Sequence, residues 1–165
     1  MSLKPKRAVI VAGVLLAVVA AAQVLTPVSN SLPTDSTHTI QAQPGTSSAL
    51  AAVLDRSCGD CHSNTMAPHW FTRVPPFSTI MARGAREGRA AVNFSEWTGY
   101  SPERQRALLV ASCAAATRGT MPVKAYLSFR QDARLSTNDL EAICAAARDP
   151  MSTQTTARLP ARSVP

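Results

Sequence analysis

The run CGDCHSN, residues 58–64, sets two cysteines three positions apart with a histidine directly after the second. Three chemistries use sulfur and imidazole at such spacing. A thioredoxin-type dithiol needs its CxxC beside a βαβ pattern, and the chain offers no convincing β-run. A structural zinc needs four ligands. Cys58, Cys61, Cys113 and Cys144 would supply them, leaving His62 incidental, because the adjacent Cys61 and His62 can hardly both complete one tetrahedron. Covalent haem attachment employs every part: two thiolates add to the porphyrin vinyl groups, and the following histidine lies under the iron. On this reading Cys58 and Cys61 anchor one haem c. His62 Nε2 ligates the iron while its Nδ1 hydrogen meets a backbone carbonyl.

A second axial ligand must come from a sulfur or imidazole that can reach the opposite face. Met66 and His69 follow His62 too closely to wrap around a ring, and Met81 falls in a predicted helix. Met121 stands 59 residues after His62, between Gly119 and Pro122, in a loop that separates two predicted helices. The plain alternative makes Met121 a core filler. A His/Met iron has no open position, so the expectation is an electron carrier rather than an enzyme. If Met121 were weakly bound or absent, the chain would be a haem-based sensor or gas-binding module. A small peroxidase-like enzyme would need a polar distal group, for which His69 is the candidate. Trp97 and Tyr126 are candidates for hydrogen-bonding a propionate, with Arg73 or Lys124 balancing its charge. Cys113 and Cys144 sit on two predicted helices and are expected to form a disulfide, the alternative being two separately buried thiols.

The elements that must position these groups are helical. Ser47 and Ser48 can cap a helix over 49–56, with Gly59 giving a tight turn after it. The prolines of NTMAPHWFTRVPPFST make 64–79 an ordered loop, and a helix follows over 80–91. Ser101, Pro102 and Glu103 read as N-cap, N1 proline and acidic first turn of a helix ending near Thr117, with Gly119 beyond it. Ser136 and Asp139 bracket the start of a last helix over 137–147. The fold class is therefore all-α, a small c-type cytochrome-like domain with proline-rich loops, preceded by one hydrophobic N-terminal helix.

The chain of 165 residues suits one domain with accessories. Hydrophobic residues make up 45% but aromatics only 5%, so the core must be built mainly from Ala, Leu and Val, and an enclosed cofactor would supply missing apolar bulk. The organisation reads as 1–26 signal anchor or signal peptide, 27–48 flexible linker, 49–149 haem domain and 150–165 disordered tail. Lys4, Lys6 and Arg7 precede an uncharged run from Ala8 to Leu25, nearly long enough to cross a bilayer, while Ala20 to Ala22 also satisfy a cleavage rule. The expected setting is the periplasmic face of the cytoplasmic membrane, single-pass, or the periplasm if the segment is cleaved. The partners would then be the bilayer and a redox protein at its surface. The formal charge of +7 falls to +4 without those three residues. The row Arg83, Arg86, Arg89 is interrupted by Glu87 and lacks a nucleic-acid reader motif, so no nucleic-acid partner is expected.

DRSCGDCHSN, the REGRAAVNFSEW block from Arg86 to Trp97, GTMP from Gly119 and AYLSFRQDARLS together resemble the haem-binding domain family of small exported or membrane-anchored bacterial proteins. The resemblance spans about 90 residues. It implies that Cys58, Cys61 and His62 carry the haem and that Met121 fills the place of the family's MP methionine. Two stretches depart from the pattern. TMAPHWFTR replaces a more aromatic segment after CHSN, and MPVKAYLSFRQ lacks the histidine expected near Phe129, which removes an alternative ligand.

Overall fold

The computed structural model of the protein describes residues 5–25 and 31–148. The residues assigned above to a disordered tail, 150–165, lie outside them. No strand occurs among the described residues, and the helices are α1 (Pro5–Leu25), α2 (Ser48–Val53), α3 (Gly59–His62), α4 (Phe77–Ala91), α5 (Pro102–Thr117), α6 (Lys124–Leu127) and α7 (Thr137–Arg148). The all-α expectation holds.

The expected membrane helix does not. Among the described residues no helix is long and apolar enough to cross a membrane. Between Arg7 and Gln23 lie 15 residues, about 22 Å of helix at ~1.5 Å per residue, against a hydrocarbon layer of about 30 Å. The signal-anchor reading is corrected accordingly, together with the transmembrane helix, the bilayer as a partner and the single-pass placement derived from it.

Local chemistry explains the remaining helices. Ser47 Oγ accepts the Leu50 amide and starts α2. The helical run then continues past residue 56: Leu54–Cys58 widens into a π-helical turn and passes directly into α3. Gly59 lies in the right-handed helical region, so the tight turn expected there is absent. The π turn, a common device at functional sites, re-aims the motif instead. α4 begins as soon as Pro75 and Pro76 allow, and buries Ser78, Met81, Ala85 and Gly88 at three- and four-residue spacing. Ser101 Oγ accepts the Arg104 amide with Pro102 in the first turn of α5. Gly119, with φ of 64°, follows that helix and takes a left-handed conformation that suits glycine. At α7 the capping pair is reciprocal: Asp139 N donates to Ser136 Oγ, and Ser136 N donates to Asp139 Oδ2.

Two apolar clusters form the core. One joins Ile40, Leu50, Val53, Leu54, Val92, Phe94, Trp97, Leu108, Leu109, Ala116 and Ile143. The other joins Met66, Phe71, Met81, Ala85, Tyr126 and Ala133. Ile40 is fully buried, although composition placed it in a flexible linker. Around it, Leu32 N donates to Asn64 O and Met66 N to Ser31 Oγ, so residues 31–47 pack onto the domain. The polar surface of that stretch hid one anchoring side chain. The expected disulfide is present, joining Cys113 of α5 to Cys144 of α7.

Candidate functional site

The motif helix α3 lies against α4 because α4 presents glycine where the two backbones meet. A Cβ on Gly88 would sit 2.4 Å from the Cys61 carbonyl oxygen, whereas one on Gly84 would lie 3.8 Å from Cys61 Sγ. Beyond α4, Val92 turns its carbonyl back to the motif, and His62 Nδ1 lies 3.1 Å from it. A carbonyl oxygen only accepts, so Nδ1 carries the hydrogen and Nε2 keeps its lone pair. Burial holds the His62 pKa below its usual value, against the hydrogen bonds to backbone carbonyls. The imidazole is thus neutral, oriented and free to bind a metal through Nε2.

His62 lines a cavity of about 400 Å³, within the ~300–1,000 Å³ typical of small-molecule and cofactor sites. Its wall draws on both core clusters: Leu54, Val92, Phe94, Leu108 and Ile143 from one, Tyr126 from the other. Cys58, Cys61 and Met121 share it. One wall atom, Ser57 Oγ, is buried with no hydrogen-bond partner.

The sequence candidates separate cleanly. Cys58, Cys61, His62, Met121 and Tyr126 line the same cavity. Trp97 does not: it is wholly buried in the core, tilted against Phe94 and edge-on to Tyr100. Its bulk and ring contacts made it core rather than pocket, so a role toward a propionate is not supported. Tyr126 reaches the cavity, but its hydroxyl donates to Asp60 Oδ2 at 2.7 Å. Arg73 and Lys124 are exposed and are not part of the wall. His69 is likewise outside the wall and is hydrogen-bonded to Asp60, which leaves the peroxidase reading without its distal group.

The cysteine chemistry requires a correction. The CxxCH spacing predicts haem c attached covalently through Cys58 and Cys61. In the structure the bonded sulfurs are those of Cys113 and Cys144, and Cys58 and Cys61 are both free thiols. Burial, with a smaller contribution from Cys61, pushes the Cys58 thiol up to about 12, and burial raises Cys61 too. Both are therefore neutral wall groups here. The zinc alternative also falls: two of its four cysteines form the disulfide, and no group of three or more His, Cys, Asp or Glu among the described residues is placed to hold a metal ion. What the residues present do fit is a flat apolar macrocycle whose iron takes a neutral imidazole. The wall is mostly apolar, with Asp60 and Glu87 also on it; its one oriented nitrogen is His62 Nε2, a thioether shares the space, and Ser57 Oγ lacks a partner inside the protein.

Sequence reasoning missed Asp60 and Arg130. Asp60, within the motif itself, is almost fully buried. Its Oδ2 accepts from Tyr126 and from Arg130 Nη1 at 3.0 Å and lies 2.9 Å from His69 Nε2, and its Oδ1 accepts the Ala67 amide. Arg130 also donates to Arg56 O and to Asp132. The available signal was an ionisable residue inside a motif whose neighbours had to be buried. Asn64 was also unassigned. It accepts from Asn93 Nδ2 and donates to Glu96 Oε1, while its backbone N donates to Ser95 Oγ. These bonds join the CHSN and NFSEW blocks physically.

The model of one protein family, described as a haem-binding domain, matches residues 17–149. No curated protein and no solved structure matches the chain.

Proposed function

The chain belongs to the haem-binding domain family, and from that premise we propose that it seats one haem in the cavity lined by His62 and Met121 and carries single electrons. The observation that supports this best is the His62–Val92 hydrogen bond, which presents a neutral Nε2 to an apolar cavity that also contains a thioether. The bound haem supplies a ferrous/ferric couple. The protein's residues do the rest. His62 would hold the iron through Nε2 and Met121 through its thioether, which would favour the ferrous state, and the largely apolar wall excludes water and lowers the local dielectric. With both residues on the iron, no substrate would reach it, which would leave electron transfer as the task.

A second reading, a gas-ligand-binding module, draws on the 44% exposure of Met121: a thioether at the rim that left the iron would admit CO or NO. Optical spectra of the haem-loaded full chain separate the two. The carrier reading expects a low-spin ferric spectrum with the long-wavelength thioether–iron band, lost in Met121→Ala, and slow CO binding by the ferrous form. High-spin iron that binds CO at once overturns it in favour of the second.

A further inference from the structure

The segments carrying Met121 and His62 are linked by a buried hydrogen bond. Met121 lies in the loop between α5 and α6. At the loop's start, Thr120 N and Met121 N both donate to Ala115 O of α5, at 3.0 and 3.4 Å. At its far end, α6 carries Tyr126, whose hydroxyl donates to Asp60 Oδ2 at 2.7 Å. Asp60 is two residues before His62 on the same short helix. The Met121 loop is thus held to α5 through the Ala115 carbonyl and, through α6, to the helix bearing the imidazole.

Asp60 is itself held from several sides. Arg130 Nη1 and His69 Nε2 share its Oδ2, and the Ala67 amide takes Oδ1. Arg130 packs over the Tyr126 ring, its Cζ 5.8 Å from the centroid, and lies against His69 Nε2. A carboxylate with this many donors is a fixed post. Among the described residues, the Tyr126 hydroxyl is the one hydrogen bond from that post to α6 and the loop preceding it that involves neither Arg130 nor His69.

We infer that Tyr126 is a positioning residue for Met121: its hydrogen bond to Asp60 sets the separation between the His62 helix and the Met121 loop, and so keeps the thioether over the iron. This rests on the His62/Met121 reading above. Tyr126 also lines the cavity, so its ring continues to fill space when the hydroxyl is removed.

The test uses the haem-loaded full chain with Tyr126→Phe, Met121→Ala and Ser101→Ala, the last a stability control at the exposed N-cap of α5. The readouts are the ferric thioether–iron band, CO binding by the ferrous form, and the thermal midpoint. Tyr126→Phe is expected to weaken the band and shift the population about tenfold toward the CO-accessible form. Ser101→Ala lowers the midpoint with the band unchanged. If Tyr126→Phe does not fold, Asp60→Asn decides, because it puts an amide where Oδ2 accepts and is expected to weaken the band in the same way. A full band in Tyr126→Phe, when Met121→Ala has lost it, overturns the positioning role alone. A band that survives Met121→Ala overturns the axial pair, and the positioning role with it.

Discussion

The His62 imidazole and the Val92 carbonyl, 30 residues apart, are joined at 3.1 Å, and this contact decides which nitrogen of the motif is available. With Nδ1 committed to the backbone, only Nε2 can face the cavity.

His62→Ala therefore removes the one oriented nitrogen donor. Haem retention is expected to weaken more than about 100-fold, with the low-spin spectrum lost and partly restored by added imidazole. An optical titration reads both. Unchanged retention would exclude His62 as the ligand.

Gly88 and Gly84 give a paired prediction. Gly88→Ala drives a methyl into the Cys61 carbonyl and is expected to cost about 1–3 kcal/mol, the usual range for overpacking where backbone must shift. Gly84→Ala meets only ordinary contact with Cys61 Sγ, so its better helix propensity should leave stability equal or raised by up to about 1 kcal/mol. Urea unfolding of the two variants checks this. Equal effects would show that α3 and α4 are not in close contact.

Reduction of Cys113–Cys144 releases a link between residues 31 apart. By loop-closure entropy that is worth about 3.5 kcal/mol. Denaturant melts with and without reductant, and of the Cys113→Ser/Cys144→Ser double variant, should agree on the loss. α5 and α7 both contribute to the cavity wall through residues such as Ala115 and Ile143, so haem retention should fall in parallel.

Asp139 gives the acid limb. Partial burial acts to raise its pKa, but the Arg56 guanidinium, 2.7 Å away, and the Ser136 amide and hydroxyl outweigh that and hold it below its usual value. A depressed carboxylate stabilises the fold at pH above its unfolded pKa of about 3.9, and that contribution fades as pH falls through the folded value. Asp139→Asn should lower stability at neutral pH by about 1 kcal/mol and flatten the decline between roughly pH 5 and 2. A variant whose acid limb is as steep as the parent's would reject this cap as its source.

Much of the site was legible because its signals are local. CxxCH is contiguous, so Cys58, Cys61 and His62 had to lie together, and one capped helix with a glycine exit placed Met121 at the cavity. Ser101 and Ser136 announced their helices through side-chain-to-amide bonds spanning three residues. What could not be read was long-range. Nothing near position 97 distinguishes an indole that lines a pocket from one that fills a core. Asp60 meets its main partners 66 and 70 residues away. The apolar run at the amino terminus looked long enough to span a membrane when counted to Leu25. Between its flanking polar residues, Arg7 and Gln23, it is shorter. Free thiols at 58 and 61 also differ from the bonded state that the spacing suggested.

Ile40 carries a practical consequence. A fragment cut at Ser48, where composition changes, would fold around a gap the size of its largest missing side chain, within the core cluster that holds Leu50, Val53 and Trp97. It would also strip Asn64 and Met66 of partners supplied by residues 31–33. The minimal expressible unit accordingly begins no later than Ser31, well upstream of where the motif alone would set its edge.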